Sequence, residues 1–307
     1  PVRSVDIKPE TEDDGRYLRV SGADFQMTFD KLTSELTDWF HRGVSLVDKG
    51  FTPDFFRAAT DNDKPKMQKT WLAMGLDRMI GRTEAFLVTE SSNSVAVNTI
   101  RVMSAIGQKP LFRVKTEYII HADGTLDLES EFEPLRDTEY IPRIGLGFKV
   151  PLSMQRLKWY GRGPHESYRD KCQSALIGVY EGDVSEQLEP YEYPQETGNK
   201  LDTRWISFSD KTGNSLMVIS DSPVSASALL YTAQELDRAM HLKDLAPDGS
   251  VCVHMDVAQT GIGNHSCGPE TLEKYRLYPK KAMLKLRLVP FHRNENSEES
   301  IYLSNTV

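Results

Sequence analysis

The chain has 307 residues, 39% of them hydrophobic and 27% charged, a balance that suits a soluble globular protein with a well-buried core. Its net charge of −8 (37 basic against 45 acidic residues) is spread without a basic stripe, which argues against nucleic acid and anionic membrane as partners. No apolar run reaches the roughly 18 residues that a membrane-spanning helix needs.

The start, Pro1-Val2-Arg3-Ser4, lacks both an initiator Met and the apolar segment of a secretory signal, so the chain reads as a fragment or a processed piece. Alternation with a period of two then dominates. Phe25, Met27 and Phe29 alternate with polar residues, and so do Phe112, Val114, Thr116, Tyr118 and Ile120. Ala122-Asp123-Gly124 turns the chain, and Leu126, Leu128 and Phe132 follow against Asp127, Glu129, Glu131 and Glu133, a hairpin signal with one apolar and one charged face. Further strands are expected at residues 144–150, 201–208, 215–220, 251–257 and 282–288. Met67, Trp71 and Met74 at helical spacing after Pro65 predict a short helix near residues 65–80, with Asp63 as its N-cap. Thr232-Ala233-Gln234-Glu235 is a candidate capping box for a second short helix, running to Ala239 or Met240. Many strands with two minor helices predict an all-β protein, a large antiparallel β-sandwich forming one domain over residues 1–307. The three cysteines, Cys172, Cys252 and Cys267, are odd in number and widely spaced, which fits reduced, cytoplasmic usage rather than disulfides or zinc.

Four stretches stand out. They are Phe56-Arg57-Ala58-Ala59-Thr60-Asp61-Asn62-Asp63, then Trp159-Tyr160-Gly161-Arg162-Gly163-Pro164-His165-Glu166-Ser167-Tyr168, then Tyr193-Pro194-Gln195-Glu196-Thr197-Gly198-Asn199, and Gly261-Ile262-Gly263-Asn264-His265-Ser266-Cys267-Gly268-Pro269. Singly, each is a connection between strands. In this order they resemble the C-terminal domain, or small subunit, of glycoside hydrolase family 2 β-galactosidases, over nearly the whole chain. The resemblance implies a galactose-mutarotase-type supersandwich. It also implies that this chain is part of an enzyme that hydrolyses terminal β-D-galactosides such as lactose with retention.

Retaining hydrolysis needs two carboxyl groups about 5–5.5 Å apart. In the family both sit on a (β/α)₈ barrel, for which this chain has no alternating βα pattern and, beside its predicted strands, no room for the roughly 250 residues required. No catalytic residue is therefore assigned to this chain, and the isolated chain is expected to be inactive. The resemblance places the 261–269 loop at the mouth of the barrel's active site, making Asn264, His265, Ser266 and Cys267 the candidate substrate-binding residues. Where many bacterial relatives carry a Ser-Trp pair, this chain has Ser266-Cys267, so a small apolar wall replaces an aromatic platform. No cofactor is assigned here, while Mg²⁺ and Na⁺ belong to the rest of the enzyme. The implied partners are the remaining β-galactosidase domains or large subunit, and the complete enzyme is expected to be a homo-oligomer.

Glu166 and Tyr168 are expected to tie a turn together by hydrogen bonds, and Arg57 to pair with a neighbouring carboxylate. The Asp61-Asn62-Asp63 cluster lacks the spacing of a calcium loop. Two rival readings stand. A mutarotase-like aldose epimerase would need His165 or another histidine facing a glutamate in a concave site. A non-catalytic sugar-binding module would need an exposed platform from Trp71, Trp159, Trp205 or a tyrosine.

Overall fold

The computed structural model describes residues 8–263 and 270–305. The strands are β1 (Glu10–Asp13), β2 (Tyr17–Ser21), β3 (Phe25–Asp30), β4 (Glu35–His41), β5 (Val44–Val47), β6 (Lys49–Asp54), β7 (Ile80–Glu90), β8 (Ser94–Ser104) and β9 (Phe112–His121). They continue with β10 (Leu126–Pro134), β11 (Arg143–Pro151), β12 (Arg156–Gly163), β13 (Leu176–Asp183), β14 (Lys200–Ser209), β15 (Asn214–Leu229), β16 (Ser250–Gln259) and β17 (Ala282–His292). Helices α1 (Met67–Met74), α2 (Ala233–Arg238) and α3 (Glu298–Asn305) are short.

Strands β1 to β5 form a five-stranded meander, and the other twelve form one large sheet in the order β13-β12-β14-β15-β17-β10-β9-β8-β7, with β16, β11 and β6 leading off β15. All pairings are antiparallel, as the alternating pattern requires. The β9–β10 hairpin turns at Asp123-Gly124 as expected. Asp123 Oδ1 accepts the Thr125 amide at 2.9 Å, and Gly124 takes a φ of +81°, which glycine adopts without strain. The main cluster of buried side chains runs from Leu18 in β2 to Leu288 in β17, with two smaller ones beside it. Phe29 of β3 meets Tyr118 of β9 edge-on at 5.2 Å, and Phe55 stacks on Phe112 at 4.3 Å, so the small sheet and the large one share this core.

Helix α1 lies inside the expected span and ends at Gly75, whose left-handed φ of 74° closes it. Asp63 is not its N-cap: Lys66 holds that position without a side-chain bond, because the Asp63 carboxylate is engaged elsewhere. Helix α2 keeps half of its box. Thr232 Oγ1 accepts the Glu235 amide at 3.1 Å, but the Glu235 carboxylate turns to Arg238 and the Ala246 amide. The third helix, α3, goes beyond the two expected. Its signal was present in Ser297, which accepts the Ser300 amide at 3.2 Å, followed by Glu298 and Glu299 in the first turn.

Candidate functional site

The four stretches, up to 200 residues apart in sequence, meet in one place. Arg57 is fully buried and pairs with Asp63 at 3.1 Å, as the sequence suggested. The same guanidinium donates to the carbonyl oxygens of Thr260 (2.5 Å) and Gly261 (3.1 Å). Asn62 Nδ2 donates to the Ile262 oxygen at 2.9 Å, and Thr60 ties the turn by donating its amide and hydroxyl to Asp63 at 2.9 and 2.8 Å. The first stretch is therefore a clamp on residues 260–262.

Asp170 holds the other side of that segment, accepting the amides of Ile262 (3.1 Å) and Gly263 (2.8 Å). The approach is close enough that a Cβ on Gly261 would lie 2.5 Å from Asp170 Oδ2, which explains glycine there, and Gly263 needs its φ of +80°. Asn264, His265, Ser266 and Cys267 lie outside the described residues. What the structure fixes is the base from which they extend.

The second and third stretches are knitted together at Glu166, which is buried. Its carboxylate accepts from Lys171 Nζ (2.6 Å), Tyr191 Oη (2.6 Å), Thr197 Oγ1 (3.1 Å) and the Gly198 amide (2.9 Å). Burial alone would raise this carboxyl, but these donors and the Lys171 charge hold it below its ordinary range. Ser167 and Asn199 exchange bonds, Asn199 Nδ2 to the Ser167 oxygen and the Ser167 amide to the Asn199 oxygen, both at 2.7 Å. Gln259 Nε2 reaches Asn199 Oδ1 at 3.1 Å and so joins them to the end of β16.

Beneath lies Arg143, buried on β11, with Glu196 at 3.2 Å and Asp54 and Asp256 each at 3.7 Å. Tyr168 Oη donates to Glu196 at 3.5 Å. One guanidinium cannot offset three carboxylates, two of them buried. Burial pushes Glu196 and Asp256 up despite Arg143, whereas Asp54, with His254 Nδ1 3.0 Å away, is held down against its own burial. The three acidic groups hold Arg143 above the usual arginine range against its desolvation.

Asp170, Arg143, Tyr191 and Gln259 were not singled out by sequence. Arg143 had a signal, a cation at the head of the apolar run 144–150, and Asp170 follows the second stretch by two residues. Asp61 bonds Lys64 and Gln195, and among the described residues no group of three His, Cys, Asp or Glu is placed to hold a metal ion.

His165 faces Ser174 Oγ at 2.9 Å on the exposed surface, with no carboxylate partner among the described residues. The histidine–carboxylate pairs there are His121 with Asp127 (2.8 Å) and His254 with Asp54 (3.0 Å). Trp71, Trp159 and Trp205 are all buried, so none offers a platform for a sugar.

A family model described as β-galactosidase small chain matches residues 21–288. Among curated relatives, the chain is 30% identical to a β-galactosidase of Priestia megaterium over 92% of this chain and 26% of that protein. It is also 30% identical to a β-galactosidase of Kluyveromyces lactis over 90% of this chain and 28% of that protein. The chain thus spans about a quarter of the length of the relatives it matches. Among solved structures it is similar to a candidate mutarotase of Salmonella typhimurium (TM-score 0.48, 12% identity, 93% of this chain and 94% of that one). It is also similar to the α-N-acetylgalactosaminidase NagBb of Bifidobacterium bifidum (TM-score 0.45, 14% identity, 93% of this chain and 37% of that one).

Proposed function

The chain belongs to the β-galactosidase small-chain family, and from that premise we propose that it is the C-terminal part of an enzyme hydrolysing terminal β-D-galactosides, lactose among them, with retention. In this reading residues 1–307 act as one unit whose task is to present the 261–269 loop to a substrate pocket completed by the rest of the protein. The observation that carries the proposal is the double grip on residues 260–263, by Arg57 and Asn62 on one side and Asp170 on the other. In this reading the gripped base is the support from which Asn264, His265, Ser266 and Cys267 reach the substrate. Cys267 supplies a small apolar wall rather than a stacking surface.

The acid/base and nucleophilic carboxylates belong to the remaining part of the protein, as do any Mg²⁺ and Na⁺ sites, because the carboxylates of the hub described above are consumed in internal bonds. We place the complete enzyme in the cytoplasm, as a homo-oligomer. No helix among the described residues is long and apolar enough to cross a membrane.

The test is turnover of a chromogenic β-galactoside. The 307-residue chain alone is expected to give none, and the complete protein is expected to be active. Turnover by the chain alone, abolished by changing one of its own carboxylates, would overturn the assignment of the chemistry to the other part.

A further inference from the structure

Beside the Arg143 cluster, the face formed by β6, β11 and β16 carries a cavity of about 240 Å³. Its polar lining includes Asp54, Lys149, Gln234 and His254, and its apolar walls come from Phe55, Met79 and Phe148. Three features make it a built site rather than a surface dent. First, among the described residues, His254 Nδ1, 3.0 Å from Asp54 Oδ2, is buried without a hydrogen-bond partner, and nothing bonds the ring's Nε2. Second, the floor is Gly147, paired in the ladder with His254 on one side and Thr52 on the other. A Cβ there would touch the His254 ring at 3.4 Å and Asp54 at 3.9 Å, so glycine keeps the space over the pair open. Third, the charged lining is balanced, Lys49 and Lys149 against Asp54 and Asp77, and Lys149 Nζ is already held by Asp248 at 2.7 and 2.6 Å.

We propose that this cavity binds a neutral monosaccharide, a pyranose ring, at a site separate from the base of the 261–269 loop. Balanced charge disfavours an ionic ligand, since either sign would meet a like charge in the lining. A carboxylate beside an imidazole offers an acceptor and a donor to adjacent hydroxyl groups, and the Gln234 amide at the rim offers both. The methionine and phenylalanine walls match the C–H face of a sugar ring. None of the residues gripping the loop base lines the cavity, so its occupancy does not depend on the proposed galactosidase role.

Saturation-transfer NMR on the 307-residue chain, with D-galactose and D-glucose as probes, tests this. Saturable binding is expected for at least one sugar. His254→Ala removes one hydrogen-bonding partner and should weaken it by about tenfold or more. Gln234→Trp, on the exposed side of α2, should obstruct the rim and abolish binding without touching the core, so a misfolded His254 variant does not decide the matter. Asp170→Ala, which acts on the loop base alone, should leave binding unchanged. Absence of saturable binding, binding that survives both cavity variants, or binding lost with Asp170→Ala would each overturn the proposal.

Discussion

At Glu166 four donors meet one buried carboxylate, and three of them (Tyr191, Thr197 and the Gly198 amide) lie on the segment around the third stretch. Glu166→Gln replaces an acceptor by a group that also donates, so some of these donors lose their partner. The expected cost is about 2–3 kcal/mol at neutral pH, read by urea denaturation. The pH dependence has a definite sign. The folded carboxyl titrates below its ordinary value of 4.5, so its contribution is complete above that value and is lost as pH falls through the lower, folded one. The wild type should therefore lose stability on acidification more steeply than Glu166→Gln, and parallel curves would show that the carboxylate carries no such linkage. Lys200 runs the other way. It is buried with its ammonium 5.1 Å from the Trp159 ring, and burial pushes it down from 10.5 to about 8. Below pH 8 the fold holds a desolvated cation, and that penalty is relieved as pH rises from about 8 to 10.5, where the unfolded chain still keeps its proton. Lys200→Met should accordingly be more stable than the wild type at pH 7, by no more than about 3 kcal/mol, with the advantage shrinking by pH 10. An advantage that stays constant across that range would refute the assignment.

Strand β11 shows how two glycines two residues apart do different work. A Cβ on Gly145 would lie 2.2 Å from Asp256 Oδ1 and 2.5 Å from the Met255 oxygen, whereas one on Gly147 meets its nearest neighbours at 3.4 Å. Gly145→Ala must push backbone apart and is expected to cost about 3 kcal/mol or more, while Gly147→Ala should stay within about 1 kcal/mol. Thermal unfolding of the two variants checks this, and equal effects would mean that β11 moves freely against β16. The strand itself was legible, because residues 144–150 carry an apolar run, and so was the β9–β10 hairpin, where alternation and Asp-Gly agree. Elements whose pattern was not local were harder to read. Strand β13 lies at the sheet edge with Leu176, Ile177 and Val179 all exposed, so neither of its faces gives a clean alternation. Helix α3 has only two buried residues, Glu298 and Ile301, and its acidic one is fixed by Ser207 and Lys158 rather than by a hydrophobic stripe.

Across the whole molecule, the sequence marked the four stretches as functional punctuation but not as neighbours. Their contacts are set by long-range strand pairing, which no local pattern records, and the residues that join them, Arg143, Asp170 and Gln259, carry no motif of their own. That arrangement makes Asp170 the most direct probe of the proposed role. Its carboxylate holds two amides at the base of the 261–269 loop and is itself partly exposed. Water can replace it for those amides, so Asp170→Ala should cost the isolated chain only about 1 kcal/mol, a shift of a few degrees in melting temperature. In the complete enzyme the same change frees a loop that the proposal places against the substrate. KM for a chromogenic galactoside should rise and kcat/KM fall by about tenfold, the effect of losing a pre-positioned contact. Cys267→Ala, which alters the loop without loosening its base, should shift substrate affinity while leaving the chain's stability within about 0.5 kcal/mol. If Asp170→Ala instead unfolds the chain, or leaves the kinetics of the complete enzyme untouched, the grip on residues 260–263 serves the fold alone and the loop has no part in the galactoside pocket.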